Sequence, residues 1–322
     1  MRLPLRPIVL VLAAGLWSLA AAGGFEERFE LAWRLVDERY WDLGQAAVDW
    51  DEAKERYGAE MREVASDDAL YALLEAMYEE IGDDHTVFVR PERVAEFRER
   101  YGDLPCIAVF GLTPDAPPKA RPAAAAPKEL TLAGPVGYAL LEDGTGYLRL
   151  EDLVASGTAG GVRDAVEDLL ALGADAFVLD LRGNPGGRLV TMMQVAGVFT
   201  GGFLWRAVTT WSLPLPYPAI GATLTEAPLA LLVDGAVNSA AEGLAGGLQM
   251  HGRALVVGAT TAGNVEAVLP FCLRDGSQAW IATGVLAPIG GPTWEGRGVE
   301  PDVAVDPESA LSAALEALRA AR

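Results

Sequence analysis

Between Phe25 and about Glu80, apolar and aromatic residues recur at intervals of three and four, through Phe29, Trp33, Val36 and Tyr40, then Leu70, Leu73, Leu74 and Met77. That spacing belongs to amphipathic helices, and at such spacing the aromatic stripe reads as core. The helical stretch ends in Ile81-Gly-Asp-Asp-His-Thr-Val-Phe-Val-Arg90, a Gly-Asp turn leading into a short extended segment. From Leu112 to Pro127 proline and alanine dominate, the composition of a linker or surface loop. Beyond Leu130 short apolar runs alternate with helical patterns. Strands are predicted at 147–150, 176–181, 229–233 and 254–257, and helices at 160–172, 189–199 and 239–251. Such alternation implies βα crossovers and a largely parallel sheet, whose ligand sites lie at the carboxyl ends of the strands.

A length of 322 residues accommodates one large or two modest domains. The formal charge of −20 argues against nucleic acid and anionic membrane surfaces as partners. The amino terminus has the layout of an export signal: Arg2 and Arg6, an apolar stretch over 8–19, then Ala20-Ala21-Ala22 before Gly23. Its apolar part is short for a span of about 20 residues, and no second stretch is long enough to cross a bilayer. A mature, exported protein starting near Gly23 is the expectation. Cys106 and Cys272 lie far apart without metal-ligand spacing; two buried thiols are favoured over a disulfide pair.

The candidate chemistry centres on Ser239, in Leu-Ala-Leu-Leu-Val-Asp-Gly-Ala-Val-Asn-Ser-Ala-Ala-Glu242. A hydroxyl where a buried strand turns into a helix sits at the positive end of the helix dipole, a good place for a nucleophile. The same residues also spell a capping box, with Ser239 at the N-cap and Glu242 three residues on. A serine nucleophile needs a base. The three lysines, Lys54, Lys119 and Lys128, all precede the α/β half, and two of them flank the Pro/Ala-rich stretch. Of the two histidines, His251 lies twelve residues past Ser239 on the same predicted helix, roughly 18 Å away at the helical rise. His85 is left. No second His or Cys completes a metal site around it. Gly183, Gly186 and Gly187, around Asn184-Pro185, form a loop of little side-chain bulk whose N–H groups suit an oxyanion, and the Ala240 N–H is the natural second donor.

Several segments in order resemble the tail-specific (C-terminal processing) serine protease family, above all its branch of tricorn-core and interphotoreceptor retinoid-binding protein-like modules. They are LLEAMYEEIGDDHTVFVRPE, GTGYLRLEDL, VLDLRGNPGG, VDGAVNSAAEGLAGGLQ, VVGATTAGNVEAV, LRDGS and WEGRGVEPDVAV. The resemblance implies an α/β fold: a ClpP/crotonase-like βα core with a largely parallel sheet, preceded by a small helical N-terminal domain. The expected divisions are a signal peptide at 1–22, a helical domain carrying His85 at 23–95, a connecting segment at 96–135 and the protease core at 136–322. It further implies Ser239 as nucleophile, His85 as base and Glu295 as the supporting acid, with Glu266, Asp83 and Asp84 as runners-up. The oxyanion donors would be Ala240 and Gly186 or Gly187. Asn264 stands where many members carry a lysine, and the segment before the core is too short for a full PDZ domain. The substrate would be a polypeptide or peptide, with no metal or organic cofactor; a homo-oligomer is left open. The rival reading is a non-catalytic module binding apolar ligands or peptides. An esterase is disfavoured, because Gly-x-Ser-x-Gly is absent at Ser239.

Overall fold

The computed structural model of the chain describes residues 24–83, 85–101, 125–155, 157–210 and 213–322. The signal-like segment, Asp84, Cys106 and Lys119 lie outside them. The first three helices are α1 (Phe25–Arg39), α2 (Trp50–Glu60) and α3 (Asp67–Glu79). Asp49 Oδ1 accepts the N–H groups of Asp51 and Glu52, and Ser66 Oγ accepts that of Ala69, satisfying first-turn donors of α2 and α3. Their apolar faces, with Phe29, Val36, Leu70, Leu74 and Met77, close on one another and on Ala279, Ile281 and Ala282. The turn after α3 enters β1 (Val87–Val89), followed by α4 (Pro91–Tyr101).

The remaining elements are β2 (Thr131–Ala133), β3 (Val136–Leu140), β4 (Thr145–Arg149), α5 (Thr158–Ala171), β5 (Ala176–Asp180) and α6 (Leu189–Phe199). Then come β6 (Phe203–Val208), β7 (Leu215–Pro218), β8 (Leu229–Val233), α7 (Ala240–Met250) and β9 (Leu255–Gly258). The chain closes with β10 (Glu266–Cys272), β11 (Gln278–Pro288), β12 (Val303–Ala304) and α8 (Ala310–Ala321). A seven-stranded sheet runs β12-β9-β8-β5-β4-β3-β2, parallel from β12 to β4 and antiparallel at the β3–β2 edge. Leu179, Leu231 and Val233 face the layer of α5, α6 and α7, while Val178, Ala230 and Leu232 face α8. Burial on both sides is why β5 and β8 read as unbroken apolar runs.

A second sheet was not foreshadowed by the sequence pattern. It is antiparallel, in the order β1-β11-β6-β7, with β10 also paired to β11. All residues of β11 are buried, with α1 and α7 packed against it, so the strand carries no polar–apolar alternation to betray it. Helix α7 is glycine-rich because two tryptophans lie on it: a Cβ on Gly247 would stand 2.1 Å from Trp205 Nε1, and one on Gly246 2.4 Å from Trp294 Cε2. Cys272, at the end of β10, corrects the thiol expectation. It is exposed and disulfide-bonded rather than a buried free thiol. No described helix is long and apolar enough to cross a membrane.

Candidate active site

Strands β5 and β8 are parallel neighbours, so their carboxyl-end loops lie side by side, and hydrogen bonds stitch them together. Asn238 N–H donates to Asn184 O (3.0 Å) and Gly183 N–H to Asp234 Oδ1 (3.0 Å). Asn184, fully buried, donates through Nδ2 to Leu150 O (3.0 Å). Gly186 lies directly against the serine turn. A Cβ there would come within 2.7 Å of Asn238 O and 2.8 Å of Ser239 Cβ, and its φ is +95°. Only glycine fits that approach at that dihedral.

Ser239 follows this turn as the residue before α7, with φ 54° and ψ −124°. Among the described residues it is the one non-glycine residue with positive φ. A conformation of this kind costs about 1–3 kcal/mol and persists only where its surroundings over-determine it. The surroundings here are explicit. The Ser239 N–H points at both Asn264 O and Glu242 Oε2, each at 2.9 Å. The expected capping box is therefore present, with the Ser239 side chain facing the Glu242 N–H and the Glu242 carboxylate accepting the Ser239 N–H, but the backbone is not the extended N-cap conformation. Glu242 is fully buried and also accepts from Thr261 Oγ1 (2.6 Å), Gly263 N–H (2.6 Å) and Asn264 N–H (2.9 Å). Burial raises its pKa and these bonds oppose the rise. Glu242 thus ties the serine turn to the loop leading into β10. Asn264, at the position where the resemblance expects lysine, serves through its backbone.

His85 arrives from the other half of the molecule. Asp83 Oδ1 accepts the N–H groups of His85 (2.8 Å) and Thr86 (2.5 Å), and Thr86 Oγ1 accepts the Ala282 N–H of β11 (3.1 Å). The imidazole is 3% exposed, and its Nδ1 lies 3.0 Å from Glu266 Oε2. Burial alone would lower the His85 pKa; the bond to Glu266 and the charges of Glu266, Asp83 and Glu295 outweigh it, and the net shift is upward.

Glu295 Oε2 accepts the Val265 N–H (2.7 Å), and among the described residues no hydrogen bond joins Glu295 to His85. Burial, then repulsion from Glu266 and Glu242, raises its pKa to about 7 against the Val265 bond and the charge of His85. The carboxylate that touches the imidazole is Glu266, the first residue of β10 and one of the runners-up; Asp83 holds the backbone of His85 instead. Of the two glycines, Gly186 has its N–H taken up by Asn184 Oδ1 (2.9 Å), whereas no hydrogen bond within the described residues engages the N–H of Gly187 or Ala240. Of the two, Gly187 is thus the glycine whose N–H is not taken up by another group among the described residues. Among the described residues no hydrogen bond joins Ser239 Oγ to His85. The two are connected through Asn264, Val265 and Glu266: the first bonds Ser239, the last bonds His85. His251, exposed at the end of the continuous helix α7, is remote from both.

The raised pKa of Glu295 has a consequence for stability. Its carboxyl holds a proton more tightly folded than unfolded, so its contribution is present at low pH and is lost as pH rises through about 7. Relative to Glu295→Gln, wild-type unfolding free energy should fall by about 1–2 kcal/mol between pH 4.5 and pH 8, discounted for partial exposure. Urea titrations at the two pH values measure it, and a difference that stays constant or grows with pH would contradict the geometry.

The serine turn, the glycine loop across from it and Glu266 lie within a stretch of sequence that matches a known family. Residues 144–305, half of the chain, match the family model described as peptidase family S41, and residues 24–79 match the tricorn protease C1 domain. The chain belongs to peptidase family S41. A carboxyl-terminal-processing protease of Picosynechococcus sp. is 38% identical over 133 residues, 41% of this chain and 32% of that protein. The chain spans about a third of the length of such curated relatives. Among solved structures, the photosystem II D1 C-terminal processing protease superposes with a TM-score of 0.67 at 23% identity, over 89% of this chain and 94% of that one. A lipoprotein from Streptococcus agalactiae superposes with a TM-score of 0.71 at 14% identity, over 95% and 99%. These two likenesses show a shared fold over most of the chain.

Proposed function

We propose that this S41 chain is an exported serine peptidase that cleaves polypeptides through a Ser239 acyl-enzyme. The observation that carries the reading is the backbone of Ser239, strained at a strand-to-helix turn beside a glycine loop, with the His85–Glu266 pair reached through three consecutive residues. With Nδ1–H donating a hydrogen bond to Glu266, His85 Nε2 carries the lone pair. Nε2 takes the Ser239 proton as Oγ bonds to the scissile carbonyl carbon; the Ala240 and Gly187 N–H groups receive the resulting oxyanion. The proton passes to the leaving amine as the C–N bond breaks, leaving an ester on Ser239. Water, deprotonated by His85, then attacks the ester and releases the new carboxyl terminus. Export rests on the signal-like amino terminus, and the peptide substrate on the processing activity named for the relatives.

The unmade Ser239–His85 hydrogen bond favours a second reading, a module that binds peptides without cutting them. Catalytic bonds often tighten only with substrate bound, and one experiment separates the two. Unfolded β-casein should be cleaved by the wild type and left intact by Ser239→Ala, a drop of at least about 10³-fold. Casein that binds the wild type uncut points to the binding module; cleavage that survives Ser239→Ala removes the proposed nucleophile.

A further inference from the structure

The His85–Glu266 pair has a neighbour that the chemistry above leaves unused. Trp41, just past the end of α1, donates its indole Nε1–H to Glu266 Oε1 at 2.8 Å, while Glu266 Oε2 faces His85 Nδ1. Each carboxylate oxygen thus meets one N–H. The main chain of Trp41 is fixed from two sides. Its N–H donates to Ala282 O of β11 (2.9 Å), and its carbonyl accepts both the N–H (3.1 Å) and the Oγ1–H (2.7 Å) of Thr210, beyond β6. Glu266 is 5% exposed, and the terminal torsion of a glutamate is soft. With a single partner the carboxylate would be free to turn away from the imidazole.

We propose that Trp41 is a positioning residue that aims Glu266 at His85, so the N-terminal segment supplies both the base and the group that orients its acid. This rests on the peptidase reading for its catalytic meaning and on geometry alone for the contact. Other groups near the imidazole and its acid are Asp83 and Tyr40 from the N-terminal segment and Glu295 from the turn before β12; the Tyr40 phenol is held high by burial, Asp83 and Glu266. Among the described residues, none of these three makes a side-chain hydrogen bond to Glu266 in place of the indole. A tryptophan that only fills space would be replaced by phenylalanine without consequence, because the ring would still pack beside Tyr40.

The test uses the full chain as wild type, Trp41→Phe, Glu266→Gln and the double variant. Two quantities are read: the second-order rate of fluorophosphonate labelling, and the His85 ring titration by NMR with exposed His251 changed to Gln so that one imidazole remains. Trp41→Phe should label about tenfold more slowly, the order expected for losing one hydrogen bond to a charged group. Its His85 midpoint should fall as the carboxylate turns away, and the double variant should label no more slowly than Glu266→Gln alone. An unchanged rate and midpoint overturns the proposal, as do additive losses in the double variant. A midpoint that rises overturns it too, since the indole would then be neutralising Glu266 rather than aiming it. Failure of the wild type to label strikes the peptidase reading instead, and the titration still decides the role of Trp41.

Discussion

Replacing His85 by alanine should slow casein cleavage by about 10³–10⁴-fold, the range for losing a general base that also protonates the leaving group. Among the described residues no other imidazole or amine is placed to substitute: His251 is at the far end of α7, and Lys54 is in α2, paired with Glu30. Because His85 is buried and holds Glu266, alanine also leaves a cavity and an uncompensated carboxylate. His85→Gln, which preserves more of the volume, should therefore lose activity to a similar degree while melting closer to the wild type. Added imidazole should restore part of the rate to the alanine variant. Initial rates with and without imidazole check this, and a His85→Gln enzyme of near-normal rate would remove His85 from the chemistry.

Replacing Glu266 by glutamine should cost about 10²–10⁴-fold, since an amide N–H₂ facing Nδ1 favours the wrong imidazole tautomer. The pH profile carries a sign as well. His85 works as a base only when neutral, and its pKa is raised despite burial by its bond and attraction to Glu266. The acid limb of the wild-type profile should therefore lie above the ordinary histidine value. In Glu266→Gln the attraction is gone and burial remains, so the limb should move to lower pH even as the plateau drops. Glu295→Gln should keep its rate within about tenfold of the wild type, because Glu295 influences His85 only through space. Rates measured from pH 5 to 9 decide between the carboxylates. A larger loss in Glu295→Gln than in Glu266→Gln would return the supporting role to Glu295.

What was legible in the sequence was what local pattern governs. The apolar run of β8 and the small-residue helix after it placed Ser239 at a strand-to-helix junction, and 189–199 and 229–233 coincide with α6 and β8. His85 emerged by elimination because the chain is so poor in lysine and histidine. The acid was not legible in the same way. Glu266 and His85 are 181 residues apart and meet through the pairing of β1 and β10 with β11. Nothing local marks that register, and β11, buried on both faces, carries no alternation that would have announced the sheet. Trp41, next to the aromatic stripe's Tyr40, packs on that core; only the direction of its indole N–H gives it a second role. The strain at Ser239 was hidden too. A capping-box spelling predicts an ordinary helix start, and it is the three-dimensional grip of Glu242 and Asn264 on the serine N–H that holds φ positive.

The central claim is a nucleophilic Ser239 served by His85, and the most direct measurement is the intact mass of the protein after reaction with a fluorophosphonate, followed by mapping of the modified peptide. A single adduct on Ser239 is expected in the wild type, absent in Ser239→Ala and formed at least about 10²-fold more slowly in His85→Ala. A folded wild-type protein that takes no adduct, or takes it at another residue, would contradict that claim.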